Sequence, residues 1–246
     1  MAEFGSKLKR LVLPASLLAE WSLLSEAEED IFANLVEFGC LNDGNVGSEQ
    51  CSVWRKFVPH LNAERLRILT LNSLQFTNVL HHFASLVELC IETDFSSDAA
   101  QTNAYRAMKH LTQLHHVSLR NTKQQRALLK FHNFLHQNYR GIGITNFSVQ
   151  GFFMVTMLHR LEEILLSDCE IVCTGEDSMA DFLSECPSLK IISIQGAVNL
   201  NETMLRILLI VSPCLLHLDV AQTDITGDVV SFLFLISAFL LPALSG

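Results

Sequence analysis

The chain has 246 residues, of which 49% are apolar and 17% are charged, and its formal net charge is −9. The charged fraction lies below the quarter that is usual for soluble domains, so much of the chain is expected to be buried. The acidic balance argues against nucleic acid as a partner, because binding to phosphates needs a positively charged face.

A group of three apolar residues, spaced apolar-x-x-apolar-x-apolar, recurs along the chain. The middle residues of successive copies are 20 to 31 positions apart, the shortest step running from Leu69 to Leu89 and the longest from Phe38 to Leu69. The copies are Leu8/Leu11/Leu13, Leu35/Phe38/Cys40, Leu66/Leu69/Leu71, Leu86/Leu89/Ile91, Leu114/Val117/Leu119, Tyr139/Ile142/Ile144, Leu161/Ile164/Leu166, Leu189/Ile192/Ile194 and Leu215/Leu218/Val220. This period is typical of leucine-rich repeats. We therefore predict an α/β leucine-rich repeat solenoid, with parallel strands on the concave face and helices on the convex face.

The segments between the strands are predicted to be mainly helical. Helices are expected over residues 16–34, 48–60, 97–110, 123–137 and 148–158. Asp177 is predicted to cap a helix that ends near Cys186-Pro187, and Asn201 one that ends at Ser212-Pro213, because proline terminates helices. The stretch between Phe76 and Phe83 is too short for a full helix, so we expect that unit to return by a single turn.

The units of a repeat array share one continuous core, so residues 1–246 are predicted to form a single array of about nine units. Residues 1–6 are expected to be a tag or a disordered start. Residues 229–246 are predicted to be an apolar C-terminal helix, truncated or covered by further chain, and residues 229–245 contain no charge. The alternative for this segment is a membrane or lipid anchor, although a membrane helix needs about 20 apolar residues.

The cysteines indicate a cellular location, and the absence of catalytic motifs reduces the number of possible function classes. The seven cysteines are an odd number and are spread along the repeats. We expect reduced thiols and a cytoplasmic or nuclear location. The sequence has no phosphate-binding glycine loop and no nucleophile elbow. Cys169 and Cys173 form a close pair without a second pair, and His132 and His136 have a spacing that can hold zinc but lack the glutamate of a metalloprotease motif. We therefore predict no enzymatic activity, no cofactor and no metal.

The most direct functional prediction concerns the strand positions between the apolar residues. Side chains alternate between the two faces of a strand, so these positions are expected to point outward on the concave face. The predicted partner contacts are Thr70, Glu88, Glu92, His116, Ser118, Arg120, Glu163, Ser167, Ser193, Gln195, His217 and Asp219. This arrangement is typical of a protein–protein interaction module.

The later units also resemble a known family. The relevant stretches are Leu161-x-x-Ile164-x-Leu166-x-x-Cys169-x-Ile171, Cys186-Pro187-Ser188-Leu189, Ser212-Pro213-Cys214-Leu215 and Ile225-Thr226-Gly227-Asp228. Residues 161–228 are similar to the cysteine-containing, ribonuclease-inhibitor-like class of leucine-rich repeats found in F-box proteins, although the chain shows no clear F-box.

The resemblance implies a substrate-recognition or adaptor subunit of a ubiquitin ligase. Its partners would be a protein target on the concave face and a cullin adaptor of the Skp1 or elongin type, with membrane binding not expected. The alternative hypothesis is a membrane-associated or secreted leucine-rich repeat receptor that is anchored by the apolar C-terminal segment.

Overall fold

The computed structural model describes residues 7–14, 17, 32–41, 58–150, 158–172, 182–200 and 202–225. Within them, nine strands form one long sheet in chain order, and all neighbouring strands are parallel. These strands are β1 (Arg10–Pro14), β2 (Glu37–Leu41), β3 (Ile68–Leu71), β4 (Glu88–Thr93), β5 (His116–Asn121), β7 (Gly141–Thr145), β9 (Glu163–Ser167), β11 (Ile191–Ser193) and β12 (His217–Asp219). The three strands whose numbers are not in this series belong to a second sheet.

The register of the long sheet follows the repeat. The middle apolar residue of each copy lies opposite that of the next, beginning with Leu11 opposite Phe38 and ending with Ile192 opposite Leu218. The same pairing holds at every step between them. Sequential parallel strands in this register confirm the predicted leucine-rich repeat solenoid.

Burial alternates along most strands of the sheet. In β4, Leu89 and Ile91 are completely buried, whereas Glu88 is exposed and Cys90 is partly exposed. The apolar residues at the three repeat positions of each unit therefore form the core, since burying their side chains removes apolar surface from water. The residues between them face away from the core.

The second sheet occupies parts of two segments that were predicted to be helical. It contains β6 (Ala127–Lys130), β8 (Phe147–Gln150) and β10 (Glu170–Val172), all parallel. The helix predicted over 123–137 is therefore wrong over β6, and the helix over 148–158 is wrong at its start. Burial alternates with a period of two in both strands, and short apolar runs do not distinguish this period from a helical one.

Residues 182–184 are the helical end of the segment predicted to be capped by Asp177, and few helices are described over their whole length. They are α1 (Asp98–Lys109), the single turn α2 (Phe131–Phe134) and α3 (Glu202–Val211), with 3-10 helices at Val58–His60 and Leu74–His82. The first and last confirm the helices predicted at 97–110 and before Ser212-Pro213. The single turn expected between Phe76 and Phe83 is wrong, because a nine-residue 3-10 helix makes about three turns.

Several predicted segments lie outside the described residues. They are the helix at 16–34 except for a few residues, most of the helix at 48–60, the start of the helix capped by Asp177, and residues 1–6 and 229–246. Among the helices that are described, none is long and apolar enough to cross a membrane.

Aromatic side chains fill the space between the long sheet and the return segments. The rings of Phe95 and Phe147 meet edge to face, with centroids 4.9 Å apart, and Phe131 meets Phe182 in the same way at 5.3 Å. The two pairs join units that are not neighbours in the chain. Edge-to-face packing of this kind adds about 0.5–1.5 kcal/mol per pair beyond the burial of apolar area.

A left-handed residue ends the extended part of four consecutive units. Asn146, Asp168, Gly196 and Gln222 follow the last outward-facing residue of their units, and all have φ between 54° and 66°. The amides of the first three donate to carbonyls of the next unit at 2.9–3.0 Å. Asparagine, aspartate and glycine adopt this conformation more readily than other residues. The turn therefore redirects the chain while the sheet bonding continues.

Candidate partner-binding face

The side chains of the long sheet that point away from the core form one surface, which we call the open face. It has three rows that run across the strands. Row 1 contains Arg10, Glu37, Ile68, Glu88, His116, Gly141, Glu163, Ile191 and His217. Row 2 contains Val12, Gly39, Thr70, Cys90, Ser118, Gly143, Leu165, Ser193 and Asp219. Row 3 contains Glu92, Arg120, Thr145, Ser167 and Gln195.

All of the predicted contact residues lie on the open face, and none is buried. Row 1 holds Glu88, His116, Glu163 and His217, row 2 holds Thr70, Ser118, Ser193 and Asp219, and row 3 holds Glu92, Arg120, Ser167 and Gln195. The two-residue strand period explains this placement, because it depends only on the local pattern. That these residues bind a partner remains a prediction.

The sequence analysis missed other residues of the same rows. Arg10 and Glu37 lie side by side in row 1 and form an ion pair of 2.8 Å between Nε and Oε1. Ile68 and Ile191 add partly exposed apolar side chains, as does Leu165, which the strand alternation predicts to point outward but which is not among the predicted contacts. These residues occupy the same positions within the repeat as the predicted contacts, so the two-residue alternation of the strands also identifies them as outward-facing. The predicted contacts include polar and charged side chains only, which is why these apolar residues are not among them.

Polar contacts on the open face connect neighbours within a row. Glu92 and Arg120 are paired at 3.6 Å in row 3. In row 2, the hydroxyl of Ser193 donates to Oδ2 of Asp219 at 3.2 Å. Exposed pairs of this kind contribute about 0–1 kcal/mol each. They orient side chains on the face more than they stabilise the fold.

Two glycines make a depression at β7. Gly141 belongs to row 1 and Gly143 to row 2, so β7 places no side chain at either position. A Cβ on Gly141 would clash with the ring of His116 and would lie 3.1 Å from Oε2 of Glu163. The imidazole therefore lies over the backbone of β7. Gly141 is needed here for space.

The thiol on the open face is not set up as a nucleophile. Burial raises the pKa of Cys90, and its hydrogen bond with Ser118 opposes that change only in part. A thiol with a raised pKa is mostly protonated at neutral pH and reacts slowly. In the part of the chain that the structure describes, no three His, Cys, Asp or Glu side chains are placed to hold a metal ion.

Comparison with known proteins adds little to this geometry. No family model matches the sequence, and no curated protein matches it. Among solved structures, the chain is similar to an internalin (inlF) from Listeria monocytogenes strain 4b F2365, with 14% identity and a TM-score of 0.36 over 92% of this chain and 84% of that chain. The assignment of the fold rests on the strand order and register of the sheet itself.

Proposed function

We propose that the protein is a non-catalytic protein-binding module whose open face recognises a target protein. The observation that carries this proposal is the alignment of outward side chains in continuous rows across nine parallel strands. Eight strand intervals of about 4.8 Å give a strip about 38 Å long. A strip of this length, with mixed polar and apolar side chains, suits a protein surface better than a small molecule.

The finer proposal is a substrate-recognition or adaptor subunit of a ubiquitin ligase, in the cytoplasm or nucleus. It is supported by the likeness of residues 161–228 to cysteine-containing leucine-rich repeats. In the structure, the Cys169 thiol is buried and donates to the carbonyl of Ile144 in the preceding unit at 3.5 Å. Cys186 is buried directly before Pro187. Cys169 thus contributes to packing between units, whereas the Cys186 thiol donates to the carbonyl of Phe182 within its own unit at 3.4 Å. Residues 1–246 would act as one array, and the ligase contact would be a cullin adaptor of the Skp1 or elongin type.

Proximity labelling in cells, followed by mass spectrometry, tests both levels of the proposal. The matched variants are Ser118→Arg, which places a long cation beside the depression at β7, and Thr203→Arg, which changes an exposed residue of α3. We expect target proteins to be lost with Ser118→Arg and kept with Thr203→Arg. Equal recovery of every labelled protein from both variants would count against binding at the open face.

The same labelling experiment also tests the proposed role in a ubiquitin ligase. Enrichment of a cullin together with its Skp1- or elongin-type adaptor is expected, and this enrichment should survive Ser118→Arg if the adaptor binds elsewhere. Recovery of membrane or extracellular proteins without any ligase subunit would favour the alternative receptor hypothesis. That alternative rests on the uncharged segment 229–245, which is outside the described residues. Membrane fractionation with and without this segment separates the two hypotheses.

A further inference from the structure

The second sheet has one covered edge and one uncovered edge. Beyond β10, Val198 of the next unit continues the pairing, since its amide donates to the carbonyl of Cys169 at 2.9 Å and its carbonyl accepts from Ile171 at 3.1 Å. At the other end, β6 pairs with β8 alone. In the unit before β6, the chain turns into α1 where the ladder would otherwise continue.

The free side of β6 keeps unused backbone groups. Alternate residues of an edge strand direct their N–H and C=O groups away from the sheet. Within the described residues, Ala127, Leu128 and Leu129 make no backbone hydrogen bond other than those of the ladder with β8, whereas the carbonyl of Lys130, the N-cap residue of α2, serves the first turn of that helix. Two side chains of β6 are also exposed, those of Leu128 and Lys130. The edge therefore offers both hydrogen-bonding groups and an apolar contact.

A cleft of 720 Å³ runs beside this edge. One wall is formed by Arg126–Leu128 and the loop before them, and the other by Phe95, Ser96 and the first turns of α1. The volume falls within the range of sites that hold peptide-sized or drug-sized ligands. The cleft thus separates β6 from the element that would otherwise cover its edge.

The backbone of the opposite wall is already satisfied by side chains. Nε2 of Gln101 donates to the carbonyl of Phe95 at 2.5 Å, and the amide of Phe95 donates to Oδ1 of Asn121 at 3.4 Å. The amide of Ser96 donates to Oδ1 of Asp94 at 2.9 Å. A chain that entered the cleft would therefore find its backbone partners on β6 and only side-chain contacts on the other wall.

We propose that the free edge of β6 binds an extended segment of a partner protein, which adds to the second sheet as a fourth strand. Strand addition of this kind takes its affinity from main-chain hydrogen bonds and its specificity from alternate side chains. Directly opposite side chains on adjacent strands lie about 4.5–5.5 Å apart. The segment therefore carries an apolar residue opposite Leu128 and, two positions away, an acidic residue opposite Lys130. This site is separate from the open face.

The test uses a displayed library of random twelve-residue peptides selected against the whole chain. Enriched peptides are expected to share an apolar and an acidic residue two positions apart. In hydrogen exchange, they should protect amides within Ala127–Lys130 of the wild-type protein. Leu128→Lys should weaken binding at least about tenfold. Ile210→Lys replaces an even more exposed apolar residue on α3 and should leave binding unchanged, Leu128 being 39% and Ile210 68% exposed.

Several results would overturn the proposal. They are the absence of any enriched peptide, protection confined to strands of the open face, and equal binding to the Leu128→Lys and wild-type proteins. Concentration-dependent dimerisation that Leu128→Lys abolishes would assign the edge to a second copy of the chain instead. The exchange experiment on the wild type decides the question even if a variant does not fold. Ser118→Arg, which tests the open face, should not affect these peptides, so the two proposals fail independently.

Discussion

Two buried tyrosines differ in how their hydroxyl groups are satisfied. The hydroxyl of Tyr105 donates to Oε1 of Gln101 at 2.9 Å. The hydroxyl of Tyr139 is buried and has no hydrogen-bond partner among the described residues. Burial without a partner costs about 1–3 kcal/mol, whereas a buried hydrogen bond contributes about 1 kcal/mol. The same chemical group is thus stabilising at one site and costly at the other.

Replacing each tyrosine by phenylalanine should therefore have opposite effects on stability. Tyr139→Phe is expected to leave the free energy of unfolding unchanged or raise it by up to about 1 kcal/mol, because it removes an unpaired hydroxyl. Tyr105→Phe should lower it by about 1–2 kcal/mol, because Gln101 loses its donor. Urea unfolding of the two variants side by side measures the difference. A larger loss for Tyr139→Phe than for Tyr105→Phe would contradict this account.

At the scale of the element, the left-handed turn at Gly196 allows backbone strain to be tested by substitution. Gly196 has φ of +66°, and a Cβ there would clash with Oδ1 of Asp168. Gly196→Ala should destabilise the protein by roughly 1–2 kcal/mol, since a side chain disfavours this backbone conformation. Gly143→Ala is the matched control, because its Cβ would meet only Ser118, with the hydroxyl oxygen nearest at 3.1 Å, and Gly143 has no positive φ. A urea titration that shows equal losses for both variants would argue against backbone strain as the cause.

The strands of the long sheet could be predicted from the sequence, whereas some of the return segments that the structure describes could not. The strand pattern is local and repeats, so its apolar residues and the outward positions of the open face follow from spacing alone. The strand β6 instead depends on Ala127 lying opposite Phe147, a partner in another unit. In a helical template, Ala127, Phe131 and Phe134 fit equally well. The edge proposed as a binding site was for this reason invisible to sequence analysis.

At the scale of the whole molecule, two histidines link stability to pH. Burial lowers the pKa of His136, and the nearby cation of Lys109 lowers it further. Its Nδ1 also accepts a hydrogen bond from the amide of Asn138 at 3.3 Å, which only the neutral ring can do. The pKa of His115 is lowered by the same kind of burial and by Arg140. Both rings are therefore favoured in the neutral form by the folded state.

We expect the protein to lose stability as pH falls from about 7 to about 5. The unfolded chain takes up protons near the ordinary histidine pKa of about 6.5, whereas the folded state takes them up only at lower pH. The stabilising contribution is complete above that value and is lost below it. Urea midpoints at several pH values measure the slope, and His136→Gln should make it shallower.

The constant register of the long sheet has a consequence for how such a molecule can vary in length. Between Leu69 and Leu89 the chain advances 20 residues, and between Phe38 and Leu69 it advances 31, yet the middle residues still lie opposite one another. The additional residues of a longer unit therefore lie in the return segment between its strand and the next strand. A gene that gains or loses residues there, or duplicates a complete unit, leaves the remaining rows of the open face aligned. Most changes in chain length would therefore leave the open face unchanged.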